Sequence, residues 1–205
     1  MNTSENETSP GDRPVIMNAL LAEFNAMRAE IIFRATSQAT LMQLNITAAG
    51  TVAVFALAEE GRSLTMIIIP ILSPILGLLW LDHDATIMKL GRFIKTGLKP
   101  AYGEAVKGFR FPDYESYVES ADAIPATKLG TLNFIIAVFA TFGALPLAAF
   151  LYVIYHYREH LGSFQVLAPA ILAILLLLTF FIQFLRRFGL WPAGWATSRE
   201  GAERA

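Results

Sequence analysis

Four long runs of uncharged, mostly apolar residues constrain this chain more than any other feature. They cover residues 41–58, 64–81, 132–154 and 166–185, and none of them contains Asp, Glu, Lys, Arg or His. An α-helix needs about 20 consecutive apolar residues to cross a bilayer. Hydrophobic residues make up 55% of the 205 positions, more than the roughly 45–50% of soluble proteins. The sequence therefore predicts an all-α protein with four transmembrane helices.

The first two runs are expected to form a hairpin, because only the short polar turn 59–63 separates them. Both arms extend beyond the apolar part as segments with apolar residues at helical spacing. These stripes are Leu20, Phe24, Met27 and Ile31 before the hairpin, and Ile87, Leu90, Ile94 and Leu98 after it. We predict that the two extensions are cytosolic helices that pack on each other through these stripes; the alternative is that each lies separately on the membrane surface. Pro100 is expected to end the second extension.

The remaining segments complete a predicted division of the chain. The N-terminal residues are polar and lack the apolar core of a signal peptide, so a disordered tail is expected there. The predicted parts are the tail 1–14, a cytosolic amphipathic helix 15–40, a transmembrane hairpin 41–81, a cytosolic helix and connection 82–130, a second transmembrane hairpin 131–187, and a cytosolic tail 188–205.

The distribution of positive charge predicts how the helices thread the membrane. Fourteen of the sixteen Lys and Arg residues lie in the N-terminal, central and C-terminal segments, and only Arg62 and Arg158 lie in the two short turns. Because Lys and Arg are retained in the cytoplasm, we expect a multi-pass inner-membrane protein with both termini cytoplasmic. The net charge of −1 gives no field that would attract nucleic acid, so the expected partners are the lipid bilayer and further copies of the chain.

One motif in the second short turn points to metal chemistry. His156, Glu159 and His160 match H-x-x-E-H, the signature of inverted zinc proteases. Such an enzyme needs a third ligand, usually an acid further along the chain, and the next acid is Glu200, beyond the fourth apolar run. The alternatives are an adventitious metal site, to which Glu59 or Glu60 could contribute, and a polar helix end. We expect no catalytic residue, no cofactor and no resident metal.

Uncharged polar side chains are the other candidates for function. Gln38 and Asn45 share one helix face and could line a pore or join protomers, or they could form hydrogen bonds between helices of one subunit. Gln43, Thr47 and Thr51 share another face.

Two prolines and two small residues mark the second apolar run. Pro70 and Pro74 lie one turn apart and are expected to kink the helix, with a gating hinge as the functional possibility. Ser73 and Gly77 offer a small surface for close helix contact.

Two passages resemble small uncharacterised bacterial integral membrane proteins. The first is EFNAMRAEIIFRATSQATLMQLNITAAG, from Glu23, and the second is PILSPILGLLWLDHDATIMKLGRFI, with Trp80 and His83. The layout of helix, hairpin and helix is similar to that of SLATT-type membrane effectors, a resemblance that implies pore formation; two further apolar runs depart from that layout. The expectation is a non-enzymatic, homo-oligomeric pore-type effector or membrane scaffold. The alternatives are a membrane-bound metal enzyme and an accessory subunit of a membrane complex.

Overall fold

A computed structural model describes residues 13–105, 124–160 and 163–189, and within these ranges it contains helices and turns but no strand. Two π-turns, Ile94–Leu98 and Ala140–Ala144, interrupt helical segments, and two 3₁₀ helices, Glu60–Ile67 and Arg158–His160, lie in the connections. The α-helices are α1 (Arg13–Leu57), α2 (Ile68–Phe93), α3 (Lys99–Ala105), α4 (Ile124–Phe139), α5 (Leu145–His156) and α6 (Phe164–Arg187).

Four helical segments in the described ranges are long and apolar enough to cross a membrane. They are Pro14–Leu57, Arg62–Gly103, Leu132–His156 and Phe164–Arg187. Each contains one of the four apolar runs to within one residue, so the prediction of an all-α, four-helix membrane protein is confirmed. The cytosolic placement of the helical extensions stays a prediction.

The chain divides into two compact units. The first unit contains residues 1–37 and 83–130, which are the two predicted extensions, and the second contains residues 38–82 and 131–205. In the first unit both predicted stripes are half-buried, while Leu98 is buried. The two segments thus belong to one folded unit, and their apolar stripes are its less exposed faces.

The second unit has two clusters of buried side chains. One cluster gathers Ala49 and Ala56 of α1 with the start of α2 and with Ala149 and Val153 of α5. The other is rich in aromatic residues and contains Trp80, Phe142 and Phe180. Gly77 lies against this second cluster, since a Cβ atom added there would come within 2.8 Å of Phe180 and 2.9 Å of Phe142. The small residue at position 77 therefore permits the close helix contact that the sequence predicts.

The described helices depart from the predicted boundaries at several points. The prediction that Pro100 ends its helix is wrong, because helical structure continues through α3 to Ala105. Proline is tolerated there because it directly follows the wider π-turn Ile94–Leu98, which keeps the proline ring away from the carbonyl with which it would collide in an α-helix. The second apolar run begins in 3₁₀ conformation and becomes α-helical only at Ile68. The predicted tail up to residue 12, the connection 106–123 and the tail from residue 190 lie outside the described residues.

Candidate functional site

The most buried polar side chain among the candidates is Asn45, which is 1% exposed in the second unit. Its Nδ2 atom donates a hydrogen bond of 2.8 Å to the backbone carbonyl of Thr141. Thr141 lies in the π-turn Ala140–Ala144, directly before α5. The amide of Asn45 thus joins α1 to the third membrane-spanning segment inside one subunit.

The carbonyl of Thr141 needs this side-chain donor because the backbone cannot supply one. In an α-helix it would accept from the N–H group of Leu145, but that group donates to Ala140, five residues earlier. With the five-residue spacing of a π-turn, the carbonyl of Thr141 would accept from residue 146, which is proline and has no N–H group. An unpaired carbonyl is costly where water is absent, so Asn45 provides the donor that Pro146 removes.

Gln38 also bonds to the backbone of its own subunit. Its Nε2 atom donates to the carbonyl of Trp80 at 3.3 Å. Trp80 is 1% exposed and packs against the rings of Phe134 and Phe142, with centroid distances of 5.3 and 6.5 Å. Its indole N–H is the only buried side-chain polar group in the described residues without a hydrogen-bond partner.

The structure places Gln38 and Asn45 in the bonds expected of helices within one subunit, and it buries the side chains of Pro70 and Pro74 almost completely. Pro70 occupies the first turn of α2, whereas Pro74 lies inside that helix. A backbone donor is therefore missing for the carbonyl of Pro70. A role of these four residues in a pore, a hinge or a subunit interface stays a prediction.

The second short turn does not assemble a set of metal ligands in the described residues. His156 ends α5 and stacks on Tyr152 at a centroid distance of 5.9 Å, while Glu159 lies in the following 3₁₀ helix. The carboxylate of Glu59 pairs with Arg62 at 3.1 Å. The side chain of His160 lies outside the described residues, and among those described no group of three His, Asp or Glu side chains could hold a metal ion.

A hydrogen bond between the same two turns was not predicted from the sequence. The hydroxyl oxygens of Ser63 and Tyr157 are 2.9 Å apart, and Ser63 is 2% exposed. The bond joins the start of the second membrane-spanning segment to the end of the third. No spacing rule in the sequence relates two residues 94 positions apart, so only the fold could reveal this pair.

In the first unit, one arginine links the two helical extensions. The Nε atom of Arg34 donates to Glu30 at 2.6 Å, and a terminal guanidinium nitrogen lies 3.3 Å from Nδ1 of His83. Because arginine only donates, Nδ1 of His83 is the acceptor in this contact. Glu30 and Arg34 lie one helical turn apart on α1, an i,i+4 spacing at which opposite charges pair, whereas the link to His83 has no local sequence signal.

An apolar cavity of about 480 Å³ lies between α1, the start of α2 and α5. Its lining contains a single polar group, the phenol of Tyr152, among side chains such as Ile46, Met66 and Leu145. Small-molecule sites combine apolar walls with several convergent polar groups that orient the ligand. The side chains that line this cavity do not supply such a set of polar groups.

The face of α1 that carries Gln43, Thr47 and Thr51 is exposed. The hydroxyl of Thr51 donates to the carbonyl of Thr47 at 2.9 Å, one turn earlier on the same helix. By contrast, the side chain of Gln43 has no hydrogen-bond partner among the described residues.

No family model, curated protein or solved structure matches the chain. A functional conclusion therefore depends on the sequence and on the contacts described above.

Proposed function

We propose that this chain is a non-enzymatic, multi-pass protein of the bacterial inner membrane that works as a homo-oligomer, either as a pore-type effector or as a membrane scaffold. The proposal depends above all on the low burial of α1. In the most apolar part of this helix only 17% of the residues are buried inside the subunit, against 28% for the third and the fourth membrane-spanning segments and 56% for the second. A helix that packs so little within its own subunit has most of its surface available for another copy.

The chemistry of the spans favours a structural or pore-forming role over an ion-coupled one. The four apolar runs contain no ionisable side chain apart from the phenol of Tyr152, whereas pumps and coupled transporters place Asp, Glu or His in the membrane. The similar layout of SLATT-type effectors supports the pore version. The excess of Lys and Arg outside the two short turns supports cytoplasmic termini.

Reconstitution tests the proposal and separates its two versions. Light scattering measures the molar mass of the purified protein in detergent and so gives the number of copies. The protein is then incorporated into vesicles that contain a self-quenched dye. An oligomer that releases the dye is expected of a pore, and an oligomer that leaves the vesicles tight is expected of a scaffold. A chain that is a single copy in detergent and in vesicles, and that releases no dye, would overturn both versions.

A further inference from the structure

The exposed side of α1 carries a regular seam of small and polar residues in the second unit. The seam consists of Thr40, Gln43, Thr47, Gly50 and Val54, which follow one another at spacings of three, four, three and four. All five are exposed. At about 100° per residue, the seam lies on the side of the helix roughly opposite to the buried residues Asn45, Ala49 and Ala56.

This composition is unusual for a surface that faces lipid. Within the apolar run 41–58, a single copy would expose to hydrocarbon the amide of Gln43, the hydroxyl of Thr47 and a glycine, instead of the large apolar side chains that lipid accepts at no cost. A threonine hydroxyl can bond to the carbonyl one turn earlier, as Thr51 does, but the amide of Gln43 has no partner among the described residues. An unpaired amide in the membrane is costly, and a second copy that presents the same amide would pair with it.

We propose that α1 packs along this seam against α1 of a second copy of the chain. The inference rests on the proposed homo-oligomeric function and names the surface that would carry it. Two copies thread the membrane in the same direction, so equal residues lie at equal depth and Gln43 of one copy meets Gln43 of the other. An amide both donates and accepts, and the two side chains can therefore satisfy each other reciprocally.

The spacing and the glycine fit this partner. Alternation of three and four residues keeps a seam facing its partner in a left-handed pair of helices, and Gly50 meets nothing within 4 Å of its added Cβ position, so backbones can approach closely. In the first unit α1 continues the same spacing with exposed residues that carry no charge, so like charges are not opposed there. These residues are Ala19, Ala22, Ala26 and Ala29.

Cysteine cross-linking tests the seam directly, since the chain has no cysteine of its own. Thr47→Cys and Val54→Cys place single thiols on the seam. Leu44→Cys and Phe55→Cys are matched controls at exposed positions of the same helix that lie off the seam. Oxidation in native membranes should give disulfide-linked dimers from the seam variants and few from the controls. Equal cross-linking at all four positions, or stronger cross-linking of the controls, would overturn the inference.

A second experiment measures the role of the amide. Energy transfer between labelled copies in phosphatidylcholine vesicles, recorded over a range of protein-to-lipid ratios, gives the strength of association. Gln43→Leu should weaken it about tenfold, whereas Leu44→Ala should leave it unchanged. If the native chain associates and Gln43→Leu associates equally well, the seam is wrong while the proposed function stands. A native chain that stays a single copy contradicts both.

Discussion

Asn45 and Pro146 form a matched pair at the residue scale, although 100 positions separate them in the chain. The proline removes a backbone donor, and the asparagine returns one to the carbonyl of Thr141 at 2.8 Å. An asparagine in a membrane helix is costly unless its amide is bonded. One contact therefore supplies a donor to the carbonyl of Thr141 and an acceptor to the amide of Asn45. This contact explains why residue 45 is polar.

Replacement of Asn45 tests this pairing. Asn45→Leu should lower the free energy of unfolding by about 1–2 kcal/mol, because it leaves the carbonyl of Thr141 without a donor. The penalty should shrink in a chain that also carries Pro146→Ala, since residue 146 then regains its N–H group. Thermal melting of the four variants in detergent gives the coupling between the two sites. Asn133→Leu, at an exposed position, is the matched control. If the effects of Asn45→Leu and Pro146→Ala on the free energy of unfolding are strictly additive, the pairing is contradicted.

Gly77 gives a second prediction at the residue scale. Gly77→Ala should destabilise the second unit by about 1–3 kcal/mol, because the added methyl group would lie 2.7 Å from the ring of Phe180 and 2.9 Å from Cβ of Phe142. Gly103→Ala adds the same group where nothing lies within 4 Å. Melting curves should show a loss for the first variant alone. Equal melting temperatures of the two variants would contradict this prediction, because they would mean that the rings of the aromatic cluster move aside for the methyl group at no cost in stability.

The sequence allowed part of this residue-scale chemistry to be predicted. Hydrogen bonding of Gln38 and Asn45 within one subunit was one of the two alternatives, because polar groups in lipid must find partners. The acceptor could not be predicted, since the carbonyl of Thr141 becomes available only through the π-turn. Pro146 was the available signal, because a proline inside an apolar run always leaves carbonyls of the preceding turn without donors.

At the scale of elements, both π-turns share one arrangement. The residue after each turn donates to a carbonyl five residues earlier, Lys99 to Ile94 and Leu145 to Ala140, and a proline follows at once. The wider turn moves the proline ring away from the carbonyl with which it would collide in an α-helix. Helical structure therefore continues past Pro100, which a rule that treats proline only as a helix end could not predict.

The paired extensions of the first unit give the prediction at this scale. Met27→Lys should lower the free energy of unfolding by roughly 1–3 kcal/mol, because Met27 is half-buried on the apolar stripe of α1 and a charge there must be desolvated. Asn25→Lys introduces the same charge at an exposed position and should have little effect. The melting temperatures of Met27→Lys, Asn25→Lys and the native chain in detergent give the comparison. A similar response of both variants would indicate that the stripes lie separately on the membrane surface.

Helix type and length were predictable because the apolar runs and the stripes have helical periods, whereas the junctions between helices were not. The start of the second apolar run is 3₁₀ up to Ile67, although its composition is as apolar as the rest. Periodicity reports which face of a segment is buried and carries little information about hydrogen-bond spacing at its ends. The bond of Ser63 to Tyr157 lies at such an end.

At the scale of the whole molecule, the number of membrane-spanning segments predicts on which side of the bilayer each terminus lies. The described residues support four such segments, and an even number of spans returns the chain to the side on which it began. The direction of threading stays a prediction from charge: fourteen of the sixteen Lys and Arg residues lie outside the short turns. Because this direction is inferred from composition and not from contacts, labelling in cells is its proper test.

Single cysteines in the cysteine-free chain report the direction of threading. Ser163→Cys places a thiol at an exposed position of the second short turn, and Asn18→Cys places one at an exposed position of the first unit. A membrane-impermeant maleimide added to intact cells should label the variant at position 163 within minutes, and the variant at position 18 only after the inner membrane is opened. Leu172→Cys, on the exposed surface of α6, is the control for a thiol in lipid and should react poorly in both cases. Labelling of position 18 in intact cells would reverse the topology, and it would require the excess of positive charge to lie on the outer side, against the bias that governs membrane insertion.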